Sequence, residues 1–275
     1  MNKLVYASIV RDYLRKKGQT VTVVENCKNN CCQVGLSIKS DTGVSPIFYI
    51  MDEEERTPQE FADYMLAFKS AEFDKDRLSE IMLNKEEILK RSHYILVNSK
   101  LNERKQGIVR VPVNDTLEMH YKIDISDVVK DGNIVVEYTH LSKNNINEEE
   151  FIKASYNNTR RKYPLDILNI GEALNIPGIA EPFMWILTNR KKIFGAGAIL
   201  YKGARKKLLE KFDGKEFVLL PSSVHEWIAV PEELGSNLMG LSTIIRDVNR
   251  SVVDCEEVLS DRPYKLIGDG QLVEA

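Results

Sequence analysis

The sequence is poor in the residues that announce chemistry most directly. Its 275 residues hold four histidines, four cysteines and two tryptophans. His93, His120, His140 and His225 are scattered without a short pairing, and CKNNCC lacks the two-residue spacing that lets paired thiolates grip one ion. Buried small hydrophobes are the plainer reading of Cys27, Cys31, Cys32 and Cys255. A makeshift thiolate site and oxidation-sensitive thiols at Cys31 and Cys32 are the alternatives. No metal or other cofactor is expected. Four poorly spaced cysteines do not make a disulfide framework, which points to a reducing cytoplasm. Long apolar runs are missing too. The N-terminal stretch MNKLVYASIVRDYLRKKG is broken by Arg11 and Asp12, falls short of a bilayer span and has no small-residue cleavage site, so neither export nor membrane association is expected. The sequons at Asn157 and Asn249 then read as chance matches. A net charge of −3 gives no global attraction to nucleic acid or anionic lipid, so any such binding needs a local patch.

What is present is the composition of a folded protein: 43% hydrophobic and 29% charged residues, enough for one large domain or two modest ones. The spacing predicts a first helix over about 3–17, stopped by Gly18. TVTVVENC, QVGLSIKS and VSPIFYIM follow as an antiparallel meander. TPQEFADYMLAF carries a capping box (Thr57, Pro58, Glu60) and an apolar stripe of Phe61, Tyr64, Met65 and Phe68, so this helix should cover the sheet. A charged helical stretch over about 74–91 reads as a hinge between an N-terminal part, 1–92, and a larger part, 93–275. HYILVNS, GIVRVPV, LEMHYKIDI and NIVVEYT read as strands, closed by a helix that starts acidic at NEEEF and ends basic at RRKYP. Beyond it, FMWILTN, AGAILY, EFVLLPSS and HEWIAVP read as strands, with Phe217 to Leu220 in a central one. ARKKLLEKF is a helix, and SNLMGLSTIIRDVN is another, capped by Ser236, with Leu238, Leu241, Ile245 and Val248 on its buried stripe.

Asn98 and Asn189, Asn158 and Asn249, and Leu168 and Leu259 are each separated by 91 positions. That shared offset suggests duplication of a β-rich unit closed by a helix, over about 94–168 and 185–259, with convergence of ordinary packing patterns as the alternative. The fold class is α+β, with antiparallel or mixed sheets and helices packed on one side.

The most chemical stretch is LPSSVHE, residues 220–226. Ser223 and His225, with Asp261 brought from SDRPY, could supply a nucleophile, a base and an orienting acid, as a hydrolase would need. No GxSxG elbow accompanies them, and the plainer reading is a polar turn in which the serines, His225 and Glu226 bond local backbone. Ser222, His225 and Glu226 could also form a binding turn. GAGAIL lacks the Lys-Ser/Thr of a phosphate loop. Two basic clusters, Arg190, Lys191 and Lys192 and then Arg205, Lys206 and Lys207, make a candidate patch for nucleic acid or an acidic protein, though without an aromatic stacking platform.

NNCCQVGLSI, VSPIFYI, YILVN, LPSSVHE with WIAVP, and VNRSVVDCEEVLSD together resemble, in order, a family of Firmicutes proteins known as a domain of unknown function and often found near phage or plasmid genes. The Cys31–Cys32 pair departs from that pattern. The resemblance implies no activity, cofactor or catalytic residue. The reading it leaves is a cytoplasmic, non-catalytic interaction protein that acts on a protein partner such as a host or phage factor, with the hydrolase and the basic-patch binder as alternatives.

Overall fold

A computed structural model describes residues 1–27, 29–39, 47–51, 54–69, 74–103, 106–171, 184–235 and 237–275. They divide into two compact units, Met1–Ser79 and Glu80–Ala275.

In the first unit, α1 (Lys3–Lys16) is capped by Asn2, whose side chain accepts from the Leu4 N–H, and is stopped at Gly18, where φ is +78°. Strands β1 (Val21–Cys27), β2 (Cys32–Ile38) and β3 (Ile47–Tyr49) pair in chain order as an antiparallel meander. Helix α2 (Pro58–Lys69) opens on the expected box, with the Glu60 carboxylate accepting from the Thr57 N–H at 2.8 Å. Tyr6, Val10 and Leu14 of α1 and Phe61 and Met65 of α2 close over Leu36, Ile38 and Phe48. The apolar stripe of α2 is only partly covered. Tyr64 and Phe68 touch Phe48 edge-on yet stay about half exposed. Helix α3 (Lys75–Met82) spans the division between the units.

The expected single helix over 74–91 is two helices. The chain breaks at Leu83–Asn84, and Asn84 caps α4 (Lys85–Arg91). Helix α4 belongs to the second unit, where Arg91 pairs with Asp127 and the Leu89 carbonyl accepts from Asn158, so the division falls before residue 92. Strands β4 (Ser92–Asn98), β5 (Arg110–Pro112), β6 (Leu117–Asp124) and β7 (Asn133–Val135) form one antiparallel sheet in the order β4-β6-β5, with β7 also on β6. The short helix α5 (Tyr138–Lys143) leads to α6 (Glu148–Lys162), capped by Asn147 and laid on β4. Strands β8 (Leu165–Asn169), β9 (Trp185–Asn189), β10 (Phe217–Ser223), β11 (Glu226–Pro231), β12 (Tyr264–Ile267) and β13 (Gln271–Glu274) make a second antiparallel sheet, ordered β13-β12-β10-β11-β9-β8. Its central strand β10 is the apolar run at Phe217 to Leu220. Helices α7 (Ala204–Lys211) and α8 (Leu238–Ser251) complete the unit. The fold is α+β.

In both sheets a first strand is followed by a hairpin whose second strand pairs with it, β4-β6-β5 and β9-β11-β10, and a helix comes next. The departures are local. Strand β7 and helix α5 occur in the first stretch alone, α7 in the second alone, and β8 leaves the first stretch to edge the second sheet.

Three local expectations need correction. GAGAIL is not a strand but a buried 3-10 turn, Gly195–Leu200, entered through Phe194 at φ +49°. Short apolar runs of small residues read alike as strand or turn. The cap of α8 is Asn237, which accepts from the Gly240 N–H, while Ser236 lies outside the described residues. The buried face of α8 is also rotated: Ile245 is buried, Val248 is exposed, and Asn249 is buried in its place, bonded to the Ser260 carbonyl and to Asp261.

Cys31, Cys32 and Cys255 are disulfide-bonded, so the expectation of reduced thiols and of a thiolate site is withdrawn. Linear spacing could not reveal this, because a disulfide requires nearness in space. No helix among the described residues is long and apolar enough to cross a membrane.

Candidate anion-binding cavity

The LPSSVHE stretch closes the β10–β11 hairpin, with Ser223 opposite Glu226 and a bulge between Pro221 and Ser223. Every polar group of the turn has a local task. The Ser223 hydroxyl accepts from the His225 N–H at 3.0 Å, and the Ser222 hydroxyl donates to Glu226 at 3.2 Å. The His225 carbonyl accepts from Thr188 at 2.8 Å. His225 Nδ1 accepts from the Phe194 N–H at 3.0 Å, which fixes the ring as the Nε2–H tautomer, and Nε2 faces Glu257 Oε1 at 3.3 Å. Neither ring nitrogen is left to take a proton from Ser223, and the carboxylate beside the ring is Glu257, not Asp261. Asp261 is bonded to Asn249 at 2.7 Å and lies near Arg246. The geometry makes His225 a pin holding the turn onto the buried 3-10 segment.

His225→Ala is therefore expected to cost about 2 kcal/mol, since it strands the Phe194 N–H. Ser223→Ala should cost less. Thermal melts decide between the roles, and an unaltered melt for His225→Ala would contradict the structural one.

The two basic clusters do not line one cavity. Arg190, Lys191 and Lys192 form an exposed turn after β9, and the Lys191 ammonium lies 5.3 Å from the centre of the Tyr163 ring. Tyr163 also packs on His93 and carries Lys162, which pairs with Asp124. Burial, reinforced by Lys162 and Lys122, pushes the His93 imidazole down to about 4. Burial works against ionisation of Asp124, yet hydrogen bonds from Lys162 and Ser126 prevail and hold it at about 2. Lys162 and Asp124 thus form a half-buried ion pair beside the buried His93, while Arg190, Lys191 and Lys192 stand exposed next to it.

Arg205 and Lys206 instead line a cavity of about 800 Å³, together with Tyr156, Leu200, Tyr201, Lys202, Gly203, Leu209 and the Gly268–Asp269–Gly270 turn. The chain enters α7 through Gly203 at φ +88°, a conformation that favours glycine and turns Lys202 and Lys206 toward one opening. The wall is anchored by Tyr156, whose hydroxyl accepts from the Lys202 N–H at 2.9 Å, and Arg160 lies over the Tyr156 ring. Arg205 is spent on structure: its Nε donates to the Leu266 carbonyl at 2.8 Å and its guanidinium pairs with Glu216, tying α7 to β12. Lys202 and Lys206 remain exposed at the rim, opposed by one acid, Asp269. Lys207 is exposed on α7 but does not line the cavity. Lys202 opens the KGARKK cluster that the sequence pointed to, whereas sequence reasoning missed Tyr156 and the Gly-Asp-Gly turn. The turn composition of GDG between two short apolar runs was the available signal for the β12–β13 hairpin.

Residues 5–266 match a family of unknown function, DUF5688. The chain belongs to it. In this DUF5688 chain the matched span takes in the LPSSVHE turn and the cavity wall from Tyr156 to Leu209, while Gly268–Gly270 lies just beyond. No curated protein and no solved structure matches the DUF5688 chain. Among its described residues no three His, Cys, Asp or Glu side chains gather in a way that could hold a metal ion.

Proposed function

We propose that the chain is a non-catalytic interaction protein whose protein partner presents an acidic or phosphorylated segment to the cavity beside α7. The observation that carries this reading is the cavity itself, which sets two exposed lysines against one acid on a chain of net charge −3. Such a local reversal of sign draws a compact anionic group and repels the rest of an anionic surface. A nucleic acid backbone would need a track of cations at phosphate spacing. Lys191, the middle of the other basic cluster, is turned to Tyr163 instead, which favours a protein segment. The resemblance to proteins encoded near phage and plasmid genes supports a host or phage factor as that partner.

A Lys202→Glu/Lys206→Glu double variant tests this. Both side chains are exposed, so its melt should match the parent. In a pull-down from the native host, the parent should retain a stoichiometric protein that is eluted by rising salt, and the variant should lose it. Against an acidic phosphopeptide the affinity should fall by about tenfold or more, the scale of two charge-assisted contacts. A salt-insensitive partner, or one held equally by the variant, would overturn the assignment. Preference for a single-stranded oligonucleotide would replace the partner class with nucleic acid.

A further inference from the structure

A second cavity, of about 240 Å³, opens where the two sheets of the larger unit meet. Its wall is formed by Asn98 and Thr116 from the ends of β4 and β6, by Lys100 and Leu101, and by Val258, Ser260, Asp261 and Arg262 from the segment before β12. Asn98 and Ser260 are both more than nine-tenths buried. The segment is held rigidly: Asn98 Nδ2 donates to the Leu259 carbonyl at 2.9 Å, Tyr264 donates to Ser260 Oγ at 2.8 Å and contacts Thr116 Oγ1 at 2.6 Å, and the Arg262 N–H reaches Ser260 Oγ at 3.2 Å.

The accounting of donors and acceptors is informative. Ser260 Oγ accepts twice, which leaves its own hydroxyl proton to donate, and Asn98 Nδ2 has a second N–H beyond the one given to Leu259. Two cations stand on the same wall: Lys100, whose ammonium lies 3.7 Å from Glu103, and Arg262, whose Nη1 pairs with Glu274 at 2.9 Å and leaves the other guanidinium donors to a ligand. Opposite in sign is Asp261. Its Oδ1 is held by Asn249, while Oδ2 has only the Arg246 guanidinium at 3.9 Å, beyond hydrogen-bond range. The cavity thus combines several donors with one carboxylate oxygen free to accept, and its volume is below the 300–1,000 Å³ or so of drug-sized ligand sites.

From this we infer that the cavity binds a small zwitterion, a free α-amino acid. Its carboxylate takes the protons of Ser260 and Asn98 and the charge of Lys100 and Arg262, and its ammonium rests on Asp261 Oδ2. A simple anion would leave Asp261 facing it with like charge. A simple amine would leave Ser260 and Asn98 without acceptors and face two cations. The site is independent of the cavity beside α7.

Titration calorimetry of the full chain against the free amino acids, with acetate, ethylamine and inorganic phosphate as probes of the separate charges, tests this. At least one amino acid at millimolar concentration is expected to bind saturably, and acetate, ethylamine and phosphate are not. Asp261→Asn keeps an oxygen for Asn249 and should weaken binding by about tenfold or more, as should Ser260→Ala. Lys100→Ala, at an exposed position, should weaken binding without touching the fold, so the test stands even if the buried variants misfold. Absence of amino-acid binding by the parent, equal binding of acetate or phosphate, or affinity unaltered in Lys100→Ala would overturn the assignment.

Discussion

Gly195→Ala is expected to destabilise the larger unit by about 3 kcal/mol or more, the upper range for adding one methyl group to a packed interior. A Cβ at this position would lie 2.2 Å from Thr188 Oγ1, 2.5 Å from the His225 carbonyl oxygen and 2.7 Å from the Asn189 nitrogen. Two of these are backbone atoms of paired strands or their turn, so no side-chain rotation relieves the contact. The third belongs to the Thr188 hydroxyl that donates to His225. The methyl group must therefore prise the 3-10 segment from the β9 end and from the LPSSVHE turn at once. Gly203→Ala is the internal control. It meets nothing within 4 Å and carries only the strain of φ +88°, so it should cost about 1 kcal/mol. Urea unfolding of both variants measures the difference, and equal losses would show that the close packing around Gly195 is not maintained in solution.

Acidification should remove a comparable amount of stability through His93. Its imidazole is depressed from 6.5 to about 4 in the folded chain by burial on β4, with Lys162 and Lys122 adding repulsion and the Arg91 carbonyl and Asp124 opposing them. Between those values the unfolded chain binds the proton and the folded chain does not. The contribution is therefore complete above about pH 6.5, declines as the pH falls and is exhausted below about pH 4, a total of about 3 kcal/mol. His140, also depressed by partial burial, adds a smaller decline of the same sign. Asp124, held at about 2, contributes a further decline only below the ordinary carboxylate range. His93→Asn keeps an amide donor for the Arg91 carbonyl and has nothing to titrate. Urea midpoints at pH 7 and pH 4.5 should differ much less in this variant than in the parent. A parent whose midpoint is flat over that interval would exclude a neutral, buried His93.

Much of the fold could be read from the residues because the signals were local. The Thr57–Glu60 box, the Gly18 stop and the acidic start and basic end of α6 report on their own neighbourhoods, and each lies where its chemistry requires. What could not be read depended on partners distant in the chain. Ile245 and Asn249 sit one turn apart on α8, and only the position of Ser260 and Asp261 explains why an asparagine is buried while Val248 is not. GAGAIL has the composition of a strand. Its shape is dictated by Thr188, His225 and the Tyr94 ring, none of them adjacent in sequence. The candidate residues divide the same way. Ser223 and His225 were visible as a polar turn, but the carboxylate that reaches His225 comes from Glu257, 32 positions on. Tyr156, which anchors the cavity beside α7, carries no motif at all. Asn98 and Asn189 end the first strands of the two like-ordered sheets, an order that duplication and convergence would both leave. The offset drifts in between because α7 lengthens one stretch and β7 with α5 lengthens the other.

Strand β8 follows α6 within three residues yet edges the sheet that the later strands build. For a gene assembled by recombination this fixes where a crossover can fall. A junction just after Tyr163 delivers each sheet whole to the hybrid. A junction after Asn169 gives the second sheet an edge strand chosen for another parent's β9, so relatives that have exchanged halves should carry their seam ahead of Leu165.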